Sequence, residues 1–210
     1  MSKETKVPAS FVVLEGIDGA GTTTQARELR QRLAERGIAC LVTAEPSSGV
    51  VGKLIRTSLG LVDDPPDPAY MALLFAADRL DHWREEISPA LERGEWVISD
   101  RYLWSSLSYQ SQTLPIEWVR TLNRYARPPD LTILVDTDPV KALNRISMDG
   151  RKKEIFDDLE MQNKIRRVYI ELYEAEDPAK AALVDGNCDI EETAKQIWKS
   201  IETRLLKNGR

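Results

Sequence analysis

FVVLEGIDGAGTTTQ, Phe11 to Gln25, is the stretch from which the fold can be read. Its apolar run Phe11-Val12-Val13-Leu14 is short, β-branched and bounded by glycine, which predicts a fully buried strand. Three glycines then fall within six residues, Gly16-Ile17-Asp18-Gly19-Ala20-Gly21. Such a loop tolerates positive φ and close approach to a ligand. From Thr22 the chain reads as a helix, with Leu29 and Leu33 at helical spacing and Gly37 as its stop. Strand, glycine loop and helix together aim backbone N–H groups and a positive helix end at one point, the arrangement that cradles phosphate. Against the pattern G-x-x-x-x-G-K-[ST], Gly16, Gly21 and Thr23 fit, and Thr22 stands where the lysine is expected.

At 210 residues the chain is long enough for one domain that buries roughly 70% of its unfolded surface. With 29 basic and 34 acidic residues the net charge is -5, so no global basic field exists to hold a nucleic-acid polymer and a small partner is expected. Cys40 and Cys188 are far apart and His82 is the sole histidine, which argues against a zinc site and suits a reducing, cytoplasmic setting. The opening MSKETKVPAS lacks an apolar signal core, and no apolar run reaches the roughly 18 residues a bilayer requires. Neither export nor membrane insertion is expected.

Beyond the first helix, Ile38 to Val42 reads as a second strand that stops before Pro46, and Gly49 to Leu59 as a helix. Asp67-Pro68 opens a long helix on which Phe75 and Arg79 share a face. An aromatic ring and a guanidinium converging there can hold a planar base. Pro89 predicts a kink or break near Ile87 to Pro89, with Gly94 ending the element. Trp96 to Ser99 is a third strand running into Asp100-Arg101. An acid at that end of a strand can serve a metal ion or its water shell, and the arginine can clamp phosphate. Leu103 to Gln112 is rich in hydroxyls and amides, as suits a site reading a polar neutral ligand. Pro115 to Ala126 predicts a helix, Leu131 to Val135 a fourth strand, and Asp138-Pro139 the start of another helix. The basic run around Arg151-Lys152-Lys153 precedes a long helix and suits a mobile lid over residues 147–157. Ala181 to Asp185 is a fifth strand and Ile190 to Leu206 an amphipathic closing helix. This alternation predicts an α/β domain with a mainly parallel sheet covered on both faces.

A phosphate loop, an acid-arginine pair, a base-sized aromatic-arginine pair and a basic lid form the inventory of phosphoryl transfer, which needs positioning and charge neutralisation more than a nucleophile. A nucleotide kinase is the economical conclusion. The chain also resembles the thymidylate kinases from Phe11 to about Leu206, through EGIDGAG at Glu15 to Gly21, LLFAADR at Leu73 to Arg79, SDRY at Ser99 to Tyr102, SSLSYQ at Ser105 to Gln110, PDLTILVD at Pro129 to Asp136 and RKKEIFD at Arg151 to Asp157. The resemblance implies a P-loop nucleoside monophosphate kinase fold with a five-stranded parallel sheet. It implies transfer from MgATP to dTMP, with ATP on Gly16, Gly19, Ala20, Gly21, Thr22, Thr23 and Thr24. Phe75 would stack on thymine, Arg79 would bond its carbonyl edge, Ser106 and Gln110 would face the base, and Tyr109 would crowd the sugar 2′ position. Asp18 would hold the acceptor 3′-hydroxyl, Arg101 its phosphate, Glu45 would belong to the same pocket, and Thr23 and Asp100 would organise Mg²⁺. A homodimer is implied as well.

The chain departs from that family in three respects: Thr22 for the P-loop lysine, Ala44 for an arginine, and Ser47-Ser48 for a glycine pair. Loss of a comparable electrostatic donor costs about 10²- to 10³-fold in rate. Arg151, Lys152 or Lys153 is expected to supply the missing charge on lid closure. A catalytically impaired nucleotide-binding protein, and a kinase for dUMP or another deoxynucleoside monophosphate, are the alternatives.

Overall fold

The computed structural model describes residues 8–61, 63–148 and 158–206. Its centre is β1 (Phe11–Glu15), buried at every position and paired in parallel on both edges. Val12 lies opposite Ile98 of β3 (Trp96–Asp100) on one side and Leu131 of β4 (Leu131–Asp136) on the other. β2 (Cys40–Ala44) and β5 (Ala181–Asp185) form the edges, so the parallel sheet has the order β2-β3-β1-β4-β5. Continuous apolar runs in the central strands follow from this, because parallel strands are covered on both faces. Phe11 and Val13 pack with Val97, Ile87, Ala90 and Tyr102, while Val12 and Leu14 join a larger cluster with Leu29 and Leu33.

The helices are α1 (Thr22–Ala34), α2 (Val50–Leu59), α3 (Pro68–His82), α4 (Ser88–Glu92), α5 (Leu103–Gln110), α6 (Ile116–Leu122), α7 (Pro139–Met148), α8 (Leu159–Ala175) and α9 (Ile190–Ile201). α3 opens as expected, with Asp67 accepting the Tyr70 N–H at 3.0 Å and Pro68 at the first position. β2 begins two residues later than expected, because the Ile38 N–H is occupied closing α1 on the Leu33 carbonyl at 3.0 Å. The kink or break expected near Ile87 to Pro89 takes the form of a π-helical turn, Trp83–Ile87, between α3 and α4. There the Ser88 N–H reaches back to the Trp83 carbonyl, so the chain absorbs the register shift without ending. α6 stops at Leu122, short of the expected Ala126. Asn123 is buried with its side chain committed to Arg79 and to the Val119 carbonyl, and that commitment competes with helix continuation. The closing helix covers its expected range with the last turn, Glu202–Leu206, widened to π.

From β1 the chain crosses to β2 on one side, and from β3 it crosses to β4 on the other. The strand order therefore reverses between β1 and β3. In open α/β sheets the ligand crevice lies outside the carboxyl ends of the strands at that reversal. Gly16 to Gly21 and Asp100-Arg101 emerge there. No helix among the described residues is long and apolar enough to cross a membrane.

Candidate active site

The loop after β1 takes its shape from two glycines. Gly19 has φ 77° and Gly21 φ 94°, both in the left-handed region that disfavours a side chain. A Cβ on Gly19 would also lie 2.3 Å from the Ala142 carbonyl oxygen of α7. The loop borders a cleft of about 900 Å³ lined by Asp18 to Gln25, Asp100, Arg101, Arg145 and Gly186. Gly19, Ala20, Gly21, Thr22, Thr23 and Thr24 all face it, whereas Gly16 does not and offers its carbonyl to Arg101 Nη1 at 2.9 Å. Thr22 is the first residue of α1 and only 5% exposed, with Cγ2 turned toward Gly16. Arg101 and Arg145 are the basic side chains of this cleft among the described residues. Arg151, Lys152 and Lys153 lie outside the described residues.

Just after the loop, Thr23 Oγ1 donates to Asp100 Oδ2, and Asp100 Oδ1 is buried without a partner. A hydroxyl beside a carboxylate with an unused oxygen is the donor set a hard divalent cation and its water shell require. The residues present therefore fit Mg²⁺.

Arg101 follows Asp100 with φ 73°, the positive φ of a non-glycine residue among those described. A conformation of this kind persists where surrounding bonds over-determine it. Its N–H donates to the Leu14 carbonyl at 2.8 Å, its own carbonyl accepts from Ser99 Oγ at 2.7 Å, and its guanidinium reaches Asp18 Oδ1 at 2.8 Å. The ring of Tyr109 lies 5.2 Å from the guanidinium carbon. Burial pushes the phenols of Tyr109 and Tyr169 above their ordinary range, so both remain neutral hydroxyls.

A second cavity, of about 400 Å³, brings together Asp18, Glu45, Phe75, Arg79, Arg101, Ser106, Tyr109 and Gln110. Arg79 is 1% exposed and held by Glu45 at 2.6 Å, the Tyr102 carbonyl at 2.8 Å, Ser106 at 3.1 Å and Asn123. Its Nε and Gln110 Oε1 remain buried without partners. Ser47, one of the departing serines, is fully used: its N–H and hydroxyl donate to Asp78 at 2.7 and 2.6 Å and fix the turn after Glu45. Arg56 also lines the cavity and donates to the carbonyls of Pro46 and Ser47. Asp18, Thr23 and Arg101 line both cavities.

The family profile described as thymidylate kinase matches residues 14–197. The chain belongs to the thymidylate kinase family. It is 41% identical over 203 residues to a probable thymidylate kinase of Thermococcus kodakarensis, covering 93% of this chain and 98% of that one. It is 41% identical over 201 residues to a probable thymidylate kinase of Pyrococcus abyssi, covering 93% and 97%. With a thymidylate kinase of Bifidobacterium longum subsp. infantis it shares 42% identity over 207 residues, covering 93% and 85%.

In this member of the thymidylate kinase family, four further residues, not singled out in the sequence, contact those already described. Arg145 donates to the carbonyls of Gly19 and Ala20 at 3.4 and 3.3 Å and to Gly186 at 2.9 Å. Gln162 of α8 reaches Asp18 at 3.4 Å, and Tyr169 touches Arg101. Glu15 carried a signal, since a charge closing a wholly buried strand must find partners.

Proposed function

We propose that this protein transfers the γ-phosphoryl group of ATP to dTMP, giving ADP and dTDP. The observation that carries this is the shared wall: Asp18, Thr23 and Arg101 line the cleft of the glycine loop and the base-sized cavity together, so a donor and an acceptor phosphate meet there. The loop N–H groups hold the ATP phosphates. In the second cavity Phe75 offers a ring face, Arg79 Nε an unused donor and Gln110 Oε1 an unused acceptor. Thymine presents a carbonyl beside an N–H, the complementary pair. Ser106 fixes Arg79, Glu45 balances its charge, and Tyr109 borders the sugar. Asp18 accepts from the acceptor 3′-hydroxyl and Arg101 holds its phosphate.

Thr23 and Asp100 would hold Mg²⁺, which would supply charge neutralisation for the donor phosphates. Arg101 and Arg145 are the charges on hand where Thr22 replaces lysine among the described residues. The apolar positions Leu73 and Leu80 stand 51% and 45% exposed on α3, and they support a homodimer through that helix. Two free cysteines fit a reducing cytoplasm.

Thr22 also favours a second reading, a nucleotide-binding protein without turnover. ADP release from MgATP measured with dTMP, dUMP and UMP, with and without a chelator, separates the two. Chelator-sensitive turnover with dTMP and little with UMP is expected, and Thr22→Lys is expected to change kcat by less than about 10-fold, well inside the cost of losing an essential charge clamp. Binding of ATP and dTMP with no product, and activity appearing only in Thr22→Lys, would establish the second reading. Equal turnover with dUMP would move the acceptor assignment.

A further inference from the structure

Glu15 is a carboxylate that the transfer does not use. It closes β1 and is 1% exposed, and a charge so buried requires hydrogen-bonded partners. Oε1 accepts the Tyr102 N–H at 3.0 Å, and Oε2 accepts Ser105 Oγ at 2.6 Å and Tyr169 Oη at 3.3 Å. The two hydroxyls lie 2.8 Å apart, and each stands 3.3 Å from Arg101 Nη1. A guanidinium has only donors, so both hydroxyls must turn lone pairs toward Arg101 and send their hydrogens elsewhere. Glu15 receives them, directly or through the neighbouring hydroxyl. A carboxylate at this position thus sets the sense of every bond in the group. It also grips the peptide N–H that follows Arg101, the residue with φ 73°. One buried group therefore fixes Arg101 at its backbone and at its head.

We infer that Glu15 is a positioning residue that, through Ser105 and Tyr169, presents the Arg101 guanidinium to a phosphate at the junction of the two cavities. Arg101 is anchored at both terminal nitrogens, and at Nη1 the Gly16 carbonyl at 2.9 Å stands beside the two hydroxyls. Asp18 holds Nη2 at 2.8 Å and faces the cavities, so it can exchange that bond for one to an arriving acceptor hydroxyl. The Glu15 group, together with the Gly16 carbonyl, holds Nη1 and keeps it in register while Nη2 turns to the phosphate. The substitution Glu15→Gln keeps the size of the side chain but removes the charge: with its NH₂ toward the hydroxyls it leaves one hydrogen pointing at the guanidinium, and with its oxygen toward them it sets the NH₂ against the Tyr102 N–H.

This inference rests on the proposed function for the identity of the phosphate, so its test reads binding as well as turnover. Calorimetry with dTMP, thymidine and inorganic phosphate is made on the native chain, Glu15→Gln, Glu15→Asp, the pair Ser105→Ala with Tyr169→Phe, and the combined triple variant. Glu15→Gln is expected to weaken dTMP and phosphate binding about 10- to 100-fold, the range for a hydrogen bond to a charged group. Thymidine binding should stay within about 2-fold, Glu15→Asp should recover part of the loss, and kcat for dTMP should fall with dTMP affinity. Because the same chain of bonds is already cut, the triple variant should lose no more than about 3-fold beyond Glu15→Gln. Equal weakening of dTMP and thymidine would mean a structural role only, and unchanged phosphate binding or additive losses would equally overturn the inference. If Glu15→Gln fails to fold by circular dichroism, the Ser105→Ala, Tyr169→Phe pair makes the same comparison. A native chain that binds dTMP without turnover sinks the kinase reading and leaves this comparison intact, and one that ignores dTMP is still read with phosphate.

Discussion

At Thr22 the loop gives up a side-chain charge and keeps a backbone N–H at the start of α1, so the anion nest persists while the clamp does not. Glu15 shows the opposite exchange, a charge kept where the fold gains least from it. Burial is the largest cause that raises its pKa above 4.5, with the Ser105 bond and Arg101 pulling the other way. The folded chain therefore holds this proton more tightly than the unfolded chain. As pH rises above about 4.5 through the folded pKa, the native state loses stability relative to the unfolded one, and the loss levels off once Glu15 is ionised in both. Melting curves of the native chain and Glu15→Gln between pH 4.5 and 8 should show the variant gaining in relative stability as pH rises and then running parallel. The reverse trend would mean that ionised Glu15 is better placed in the fold than in water. A residue retained at such a cost is expected where activity requires it.

Among the elements, α7 is the brace of the glycine loop. Its Ala142 carbonyl occupies the space a Gly19 side chain would need, and its Arg145 ties the carbonyls of Gly19 and Ala20 to Gly186. Arg145→Ala is expected to raise KM for ATP by about 10-fold and leave KM for dTMP within about 2-fold, since the bonds lost, to Gly19, Ala20 and Gly186, all lie on the glycine-loop cleft and none on the second cavity. Equal changes in both would assign Arg145 to the junction. α8 lays Gln162, Arg166 and Tyr169 along one side. Gln162 reaches Asp18, Arg166 makes a two-pronged bond to Asp136 at 2.6 and 2.7 Å, and Tyr169 meets Glu15. Residues 11–25 were legible because strand, glycine turn and helix start are local patterns within fifteen residues. The site around Glu15 was not, because its partners come from positions 87 to 154 residues away in the chain. The widened turn at Trp83–Ile87 escaped for a different reason: proline marks a disturbance, and whether a helix breaks or re-registers depends on what packs against it.

For the whole molecule, the exposed apolar pair on α3 sets the expected assembly. Leu80→Asp should convert a dimer to a monomer in sedimentation equilibrium, and Leu73→Asp should do the same, because a charge at the centre of an apolar contact is left unpaired. A native chain that sediments as a monomer would remove that expectation. The order of five strands was only partly legible: alternation predicts a parallel sheet, whereas which strands lie side by side depends on crossovers that no short pattern encodes. That order carries one more consequence. β1 is made first, yet its neighbours are β3 and β4. Its own successor, β2, pairs with β3 instead. During synthesis the strand that carries the glycine loop must wait until residues 96–100 emerge for one neighbour and until residues 131–136 emerge for the other. Contacts of such long sequence separation slow folding. A nascent chain halted near residue 90 thus has its phosphate loop in sequence and no sheet in which to hold it.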